Sequence, residues 1–355
     1  MPIQRIALAR AFGCARVVFN DALTARRQAR ADGLPFISDG DLSKRVITEA
    51  KQRPDRVWLG EVSAVVLQQA LADACMAYRN FFASLSGKRK GPKIAAPRLR
   101  SRRDQRQAIR FTRNARFRVG EKLTLPKIGE VAVRWSRRLP SVPSSVTVIK
   151  DAAGRYFASF VVEVTERPLP PVEAETALDL GLGHFAVLAD GRKIDSPRFL
   201  RRAEKKLRKL HKALSRKEKG SNNRAKARLK VARAHARVAD ARREFHHQES
   251  TRIVRENQAI FVEDLAVGRT FAKVSRWFPS SKLCSACAAV AEAMPLRVRE
   301  WTCACGAVHD RDINAAINIL AAGRADRLNA CGGPVRPSLA MAQPREAGSH
   351  GSAAT

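Results

Sequence analysis

Apolar residues recur at helical spacing across residues 3–32, where Ile6, Ala9, Phe12, Ala15, Val18 and Phe19 predict one amphipathic helix. Asp32-Gly-Leu-Pro35 breaks that pattern. A second helix is predicted over residues 56–84, with Val62, Val65, Val66, Ala70, Ala74 and Tyr78 on one side and Phe81-Phe82 closing it. Gly87-Lys-Arg-Lys-Gly-Pro-Lys93 follows as a basic linker. From about Gln107 the apolar period becomes two. Ile109/Phe111, Phe117/Val119, Leu123/Leu125, Val131/Val133/Trp135, Val146/Val148 and the stretch 157–164 read as short strands. Turn signals such as Asp151-Ala-Ala-Gly154 part them, which predicts a small antiparallel barrel or sandwich ending at Pro168-Leu-Pro-Pro171.

A third region opens with an apolar strand over 174–182, a second over 185–188 and a third after Asp190-Gly191. A long basic helical hairpin follows. Leu200, Ala203, Leu207, Leu210 and Leu214 keep one stripe, Gly220-Ser-Asn-Asn223 turns the chain, and Ala225, Leu229, Ala232, Ala236 and Ala239 form the answering stripe. Residues 259–263 and 270–277 read as buried strands, and the Ala/Gly/Pro/Arg-rich end predicts a disordered tail.

Charge changes the picture. The 355 residues carry 67 Lys and Arg against 33 Asp and Glu, a formal net charge of +34. An excess of this size is normally neutralised by a polyanion, which points to nucleic acid. On the hairpin, Lys205, Lys206, Arg208, Lys209, Lys212, Arg224, Lys226, Arg228 and Lys230 predict a phosphate-facing surface. No apolar run is long enough to span a bilayer and no signal peptide is evident, so a cytoplasmic, nucleoid-associated protein without a membrane partner is expected.

Four of the seven cysteines cluster as Cys284-x2-Cys287 and Cys303-x-Cys305. Two close pairs in a reducing compartment predict a tetrahedral, structural zinc site, although the second pair is one residue short of the usual Cys-x2-Cys. Cys14, Cys75 and Cys331 read as ordinary small apolar residues. Asp179 lies inside the apolar Ala-Leu-Asp-Leu-Gly-Leu, and Glu263 ends Ala-Ile-Phe-Val-Glu. Such acids are costly to bury unless they bind a cation. Asp312 starts a helix whose Ile313, Ala316, Ile317 and Leu320 form an apolar face. By itself it reads as an N-cap. The three acids together suggest carboxylates holding two magnesium ions for phosphodiester attack. His309 and Arg311 flank Asp312 and either contact phosphate or cap the helix start.

Residues Ala177-Leu-Asp-Leu-Gly-Leu182, Ala259-Ile-Phe-Val-Glu-Asp-Leu-Ala266, Phe278-Pro-Ser-Ser-Lys-Leu-Cys-Ser-Ala-Cys287 and Cys305-Gly-Ala-Val-His-Asp-Arg-Asp-Ile-Asn-Ala-Ala316 resemble those of TnpB, the accessory nuclease of bacterial insertion elements. The likeness covers nearly the whole chain. It implies an α/β plus all-β architecture, with an RNase H-like (RuvC) nuclease domain, an inserted zinc ribbon and a wedge β-barrel carrying a helical insertion. The expected bounds are 1–20 for the start of the wedge region, 21–90 for a helical recognition lobe and 91–167 for the barrel. The nuclease domain would comprise 172–279 and 306–322 with the hairpin at 197–258, the ribbon 280–305 and the tail 323–355. The resemblance also implies a guide RNA from the element's end, a double-stranded DNA target, and catalytic acids at Asp179, Glu263 and Asp312. Zinc would sit on the four cysteines.

Two departures stand out. Family members begin with a strand that is absent before Pro2. Further on, Glu263-Asp-Leu-Ala-Val267 runs almost directly into Gly268-Arg-Thr-Phe271, where relatives carry a long helical segment. Parallel strands need a connection of a dozen or more residues, and six suit a hairpin that would reverse the second strand. The sheet beside Glu263 is therefore expected to be disturbed and cleavage lost or crippled. Guided nuclease and non-cleaving nucleic-acid-binding remnant are the two leading readings. A strand-joining transposase or a zinc-ribbon transcription factor accounts for fewer of these residues.

Overall fold

The computed structural model describes residues 2–102, 104, 106–165, 168–181, 183–263, 272–275, 278–292, 294–295 and 297–328. It divides into one unit of Met1–Glu166 with Leu210–Arg233 and another of Arg167–Lys209 with Ala234–Thr355. Among the described residues, no helix is long and apolar enough to cross a membrane.

In the first unit, α1 (Pro2–Ala31) runs unbroken through position 20. Its buried stripe is Leu8, Ala11, Phe12, Ala15, Val18, Phe19, Ala22 and Leu23. Ile6 and Ala9, expected on that stripe, are exposed. The link after α1 is more structured than its polarity suggests. It holds α2 (Asp39–Ser43), capped by Ser38 Oγ accepting from Asp41 N, a π-turn (Lys44–Glu49) and two 3-10 turns (Ala50–Gln52 and Val57–Glu61). Buried Arg26 ties this link to α1 by donating to Ile37 O and to Asp39 Oδ1 at 2.6 Å. Those partners offset the desolvation of its charge.

The second predicted helix starts later than expected, as α3 (Ala64–Leu85), because Val62 is extended with φ −108° and ψ 163°. Val66, Leu67, Ala70, Leu71 and Ala74 pack it on α1 in one core. The strands follow as β1 (Gln107–Thr112), β2 (Arg118–Val119), β3 (Lys122–Leu125), β4 (Gly129–Ala132), β5 (Ser145–Lys150) and β6 (Tyr156–Val161). They make two antiparallel three-stranded sheets, β1-β5-β6 and β2-β3-β4. Ile109, Phe111, Leu123, Leu125, Val146 and Val148 alternate into the same core as α1 and α3.

In the second unit, β7 (Glu175–Asp179), β8 (His184–Leu188) and β9 (Lys193–Asp195) form a meander. Next come α4 (Phe199–Ser215) and α5 (Asn222–Glu256), whose segment Leu210–Arg233 belongs to the first unit, then β10 (Ala259–Glu263), β11 (Ala272–Val274), the hairpin β12 (Glu300–Thr302) and β13 (Val308–Asp310), and α6 (Arg311–Leu328). The expected answering stripe on α5 is rotated. Val231, Ala234 and Val238 are buried, whereas Ala225 and Ala239 are exposed. Residues 323–328, expected in the tail, belong to α6, and Cys331 with the rest of the expected tail lies outside the described residues.

The five-stranded sheet has the order β11-β10-β7-β8-β9. β7, β8 and β9 are antiparallel neighbours, while β10 is parallel to both β7 and β11. The expected reversal of β11 is thus corrected. Its register sets Ala272 beside Phe261, so the chain must return about 7 Å along β10 and about 5 Å across. Eight intervening residues can reach roughly 26 Å, so length alone does not forbid the parallel pairing.

Helix α6 packs on this sheet through Ile319, with Leu320 and Ala322, against Ala177, Phe261 and Val274. Ile317, expected on the packed face, is exposed instead. Gly323 sits against the Phe261 ring so closely that an added Cβ would lie 2.0 Å from Cδ1. Gly323→Ala should therefore destabilise the protein by about 1–3 kcal/mol, read as a lower Tm. Adding Phe261→Leu should recover part of that loss, and an unchanged Tm for Gly323→Ala would contradict the packing.

Candidate metal centre and acidic site

Two tight turns converge the cysteines. In the first, Cys284 N donates to Ala289 O, Ala288 N donates to Cys284 O, and Ala288 adopts φ +61°. In the second, Gly306 takes φ +88° and donates to Cys303 O, while Cys303 N donates to Ala307 O beneath the β12–β13 hairpin. The glycine's left-handed conformation closes the turn even though the pair is one residue short. All four Sγ atoms lie within 4.8 Å of one another. Cys284 and Cys305 are 3.8 Å apart, and Cys287 and Cys303 are 3.6 Å apart. A tetrahedron with metal–sulfur bonds of about 2.3 Å has edges of about 3.8 Å, so this donor set could hold a metal such as zinc.

The thiols show the electrostatic cost of that crowding. Burial works against ionisation of Cys284, but N–H groups of Cys287 and Ala286 and the ring of His309 pull its pKa down to about 6. Cys287 accepts a backbone bond from Ala289, yet the sulfurs of Cys305, Cys303 and Cys284 push it up to about 12. Four thiolates at these distances need a cation between them.

His309 belongs to this centre. Its Nε2 is 3.0 Å from Cys284 Sγ, and its ring packs on Trp301 at 4.9 Å. Arg311 donates to Pro295 O. Neither residue caps α6. That role falls to Asp310, whose Oδ1 accepts from Asp312 N at 3.0 Å and Ile313 N at 3.1 Å. Burial raises the Asp310 pKa, but Lys193 and the two helix N–H groups hold it below the usual carboxylate range.

Sequence reasoning also missed Asn314 and Asn318, which are buried on α6. Both donate to Leu283 O at 2.7 Å, Asn318 donates to Ser280 O at 2.8 Å, and Asn314 Oδ1 accepts from Ser285 N. They satisfy the backbone of the first turn. Their i, i+4 spacing beside Ile319 was the available signal.

Asp179 ends β7 and Glu263 ends β10. The parallel register Val262↔Leu178 carries these two positions side by side on neighbouring strands. The Glu263 side chain lies outside the described residues. Asp312 occupies the first turn of α6 and is freed from the capping role by Asp310. Arg299 Nη1 reaches Asp312 Oδ2 at 3.4 Å, and its Nη2 would stand 3.7 Å from a Cβ on Gly183. The Asp312 carboxylate therefore stands near the turn that follows Asp179.

Of the hairpin cations, Lys205, Lys206, Arg208, Lys209, Lys212, Lys226, Arg228 and Lys230 are exposed, with Arg208 paired to Glu204. Arg224 differs. It is partly buried, and its Nη1 donates to Leu214 O and Lys217 O, closing the end of α4.

Three family models match the chain. They are described as "Probable transposase" over residues 159–273, "Cas12f1-like, TNB domain" over 265–319 and "Helix-turn-helix domain" over 2–34, most of which is the single helix α1. A Streptomyces pristinaespiralis protein named "Putative RNA-guided DNA endonuclease" is 42% identical over 369 residues, spanning 94% of this chain and 89% of its own. The chain belongs to the TnpB family. A similarly named TnpB relative, InsQ of Escherichia coli (strain K12), is 28% identical and covers 74% of this chain and 63% of its own. Two from Mycobacterium tuberculosis are 27% identical over 89% of this chain and 83% of theirs.

Purified from zinc-replete cells, the protein should carry one zinc per chain by elemental analysis, and Cys303→Ser should lose it along with thermal stability. Wild type without bound metal would contradict the centre. Asp310→Ala should cost about 1–2 kcal/mol at neutral pH. The cap's contribution is complete above the ordinary carboxylate pKa and is lost as pH falls through the lowered folded value. The Tm gap between wild type and variant should therefore shrink below about pH 4.

Proposed function

We propose that the chain is an RNA-guided, magnesium-dependent DNA endonuclease of the TnpB type, associated with transposition. The observation that carries this reading is the position of Asp179 and Glu263 at the ends of adjacent parallel strands, which pack on a helix whose first turn holds Asp312. The mixed order β11-β10-β7-β8-β9 supports an RNase H-like nuclease domain over 172–279 and 306–322. On the same reading, residues 280–305 are the zinc ribbon, 21–90 the recognition lobe and 91–167 the wedge.

An all-carboxylate donor set suits magnesium. Two such ions, when bound, supply an activated water and a stabilised leaving oxygen. Asp179, Glu263 and Asp312 would hold them, with Asp310 fixing the start of α6 so that Asp312 keeps its place. Exposed cations of the hairpin would neutralise the phosphates of guide RNA and target DNA. Sequence choice would be delegated to base pairing.

One observation favours the second reading, a remnant that binds without cutting. The match to the Streptomyces relative runs over 369 positions, more than the 355 of this chain, so the relative carries segments that this chain lacks. The short connection between β10 and β11 is where such a loss would fall.

Co-expression with RNA from its own locus, followed by challenge of a plasmid library in magnesium, separates the two. Cutting that vanishes in Asp179→Ala supports the nuclease. RNA retention without cutting by either form supports the remnant, and a family-length insert after Val267 should then restore activity.

A further inference from the structure

The first unit carries an exposed aromatic surface that neither the acids nor the cysteines use. Phe36 is 58% exposed, Phe82 46%, Leu34 60% and Leu85 67%. Tyr78, Phe82 and Leu85 follow i, i+4, i+7 on α3, so they share one face. Tyr78 and Phe82 are stacked at 6.0 Å, and Phe36 stands edge-on to both, at 6.3 and 6.0 Å. The Arg26 guanidinium lies 4.2 Å from the Phe36 ring and is itself anchored by Asp39 and Ile37, so Phe36 is held in place.

Cations follow this face in the chain. Directly after α3, Gly87-Lys-Arg-Lys-Gly-Pro-Lys93 holds four Lys/Arg and no acid. Arg89 N donates to Ala83 O at 3.1 Å and Ile94 N to Ser84 Oγ at 2.9 Å, which turns the loop back onto the last turns of the helix. From Asp73 to Asp104 the sequence has nine Lys/Arg and no Asp or Glu between them.

An exposed apolar patch by itself fits several partners. Protein interfaces, however, are depleted in lysine. A base-paired duplex offers few open ring faces. Unpaired nucleotides need both features at once, flat rings for the bases and cations along the phosphates. We propose that the open face of α3 with Phe36 and the 87–93 loop is a stacking platform for unpaired bases of single-stranded nucleic acid. It rests on the nucleic-acid-binding half of the reading above and is independent of cleavage.

The test uses the full chain, without magnesium, and labelled oligouridine, oligodeoxythymidine and a DNA duplex. Single strands containing 2-aminopurine report stacking. Phe82→Leu keeps the apolar volume but removes the ring. It should weaken single-strand binding roughly tenfold and relieve 2-aminopurine quenching, with no change in salt dependence or duplex affinity. Lys88→Ala with Lys90→Ala should instead lower the salt slope. The RNA and DNA arms identify which strand is preferred. An unaltered affinity and quenching signal in Phe82→Leu overturns the platform, as does equal weakening on duplex. A wild type that self-associates through this face, with Phe82→Leu monomeric and single-strand binding intact, overturns it in favour of a second copy. These results stand whether or not plasmid cleavage is found, so the two failures are distinguishable.

Discussion

One helix has to satisfy three neighbours at once, and the second unit depends on it. α6 presses Gly323 onto the Phe261 ring of β10, offers Asn314 and Asn318 to the backbone of the first cysteine turn, and starts at an aspartate cap that leaves Asp312 available. Each requirement restricts a different residue type. A side chain at 323 would lift the helix off the sheet, apolar residues at both 314 and 318 would strand the Leu283 and Ser280 carbonyls, and a weaker cap would loosen the first turn. The sheet, the metal centre and the acidic site are thus coupled through one rigid element.

The metal centre adds a second constraint. Sulfurs packed at tetrahedral spacing repel one another as thiolates, which pushes the Cys287 thiol up to about 12, whereas backbone N–H groups and the His309 ring pull Cys284 down to about 6. A bound cation removes that conflict, and α6 then receives a fixed turn to pack on. His309 and the Trp301 ring complete the surroundings of Cys284.

Exposed Lys and Arg cover the hairpin, whereas Arg26 and Arg224 spend their guanidinium groups on carbonyls and a carboxylate inside the protein. The net charge of +34 thus does not translate residue by residue into nucleic-acid contacts.

Periodicity alone located α1, the strands from β1 to β6, the hairpin and the acidic strands, because burial of one face imposes a period that tertiary context seldom hides. Cysteine spacing likewise defined the four-cysteine cluster, since a knuckle is a local object. What the sequence left open was every choice that depends on a distant partner. Whether Ile317 or Ile319 is buried depends on how α6 lies across the sheet. Asp310 becomes the cap because β13 delivers it there, and Arg224 closes α4 because the turn at 220–223 brings it back. The direction of β11 followed from pairing with β10 rather than from loop length. Local pattern fixes which elements form; the sharing of hydrogen bonds and volume between elements far apart in the chain decides which of their residues act.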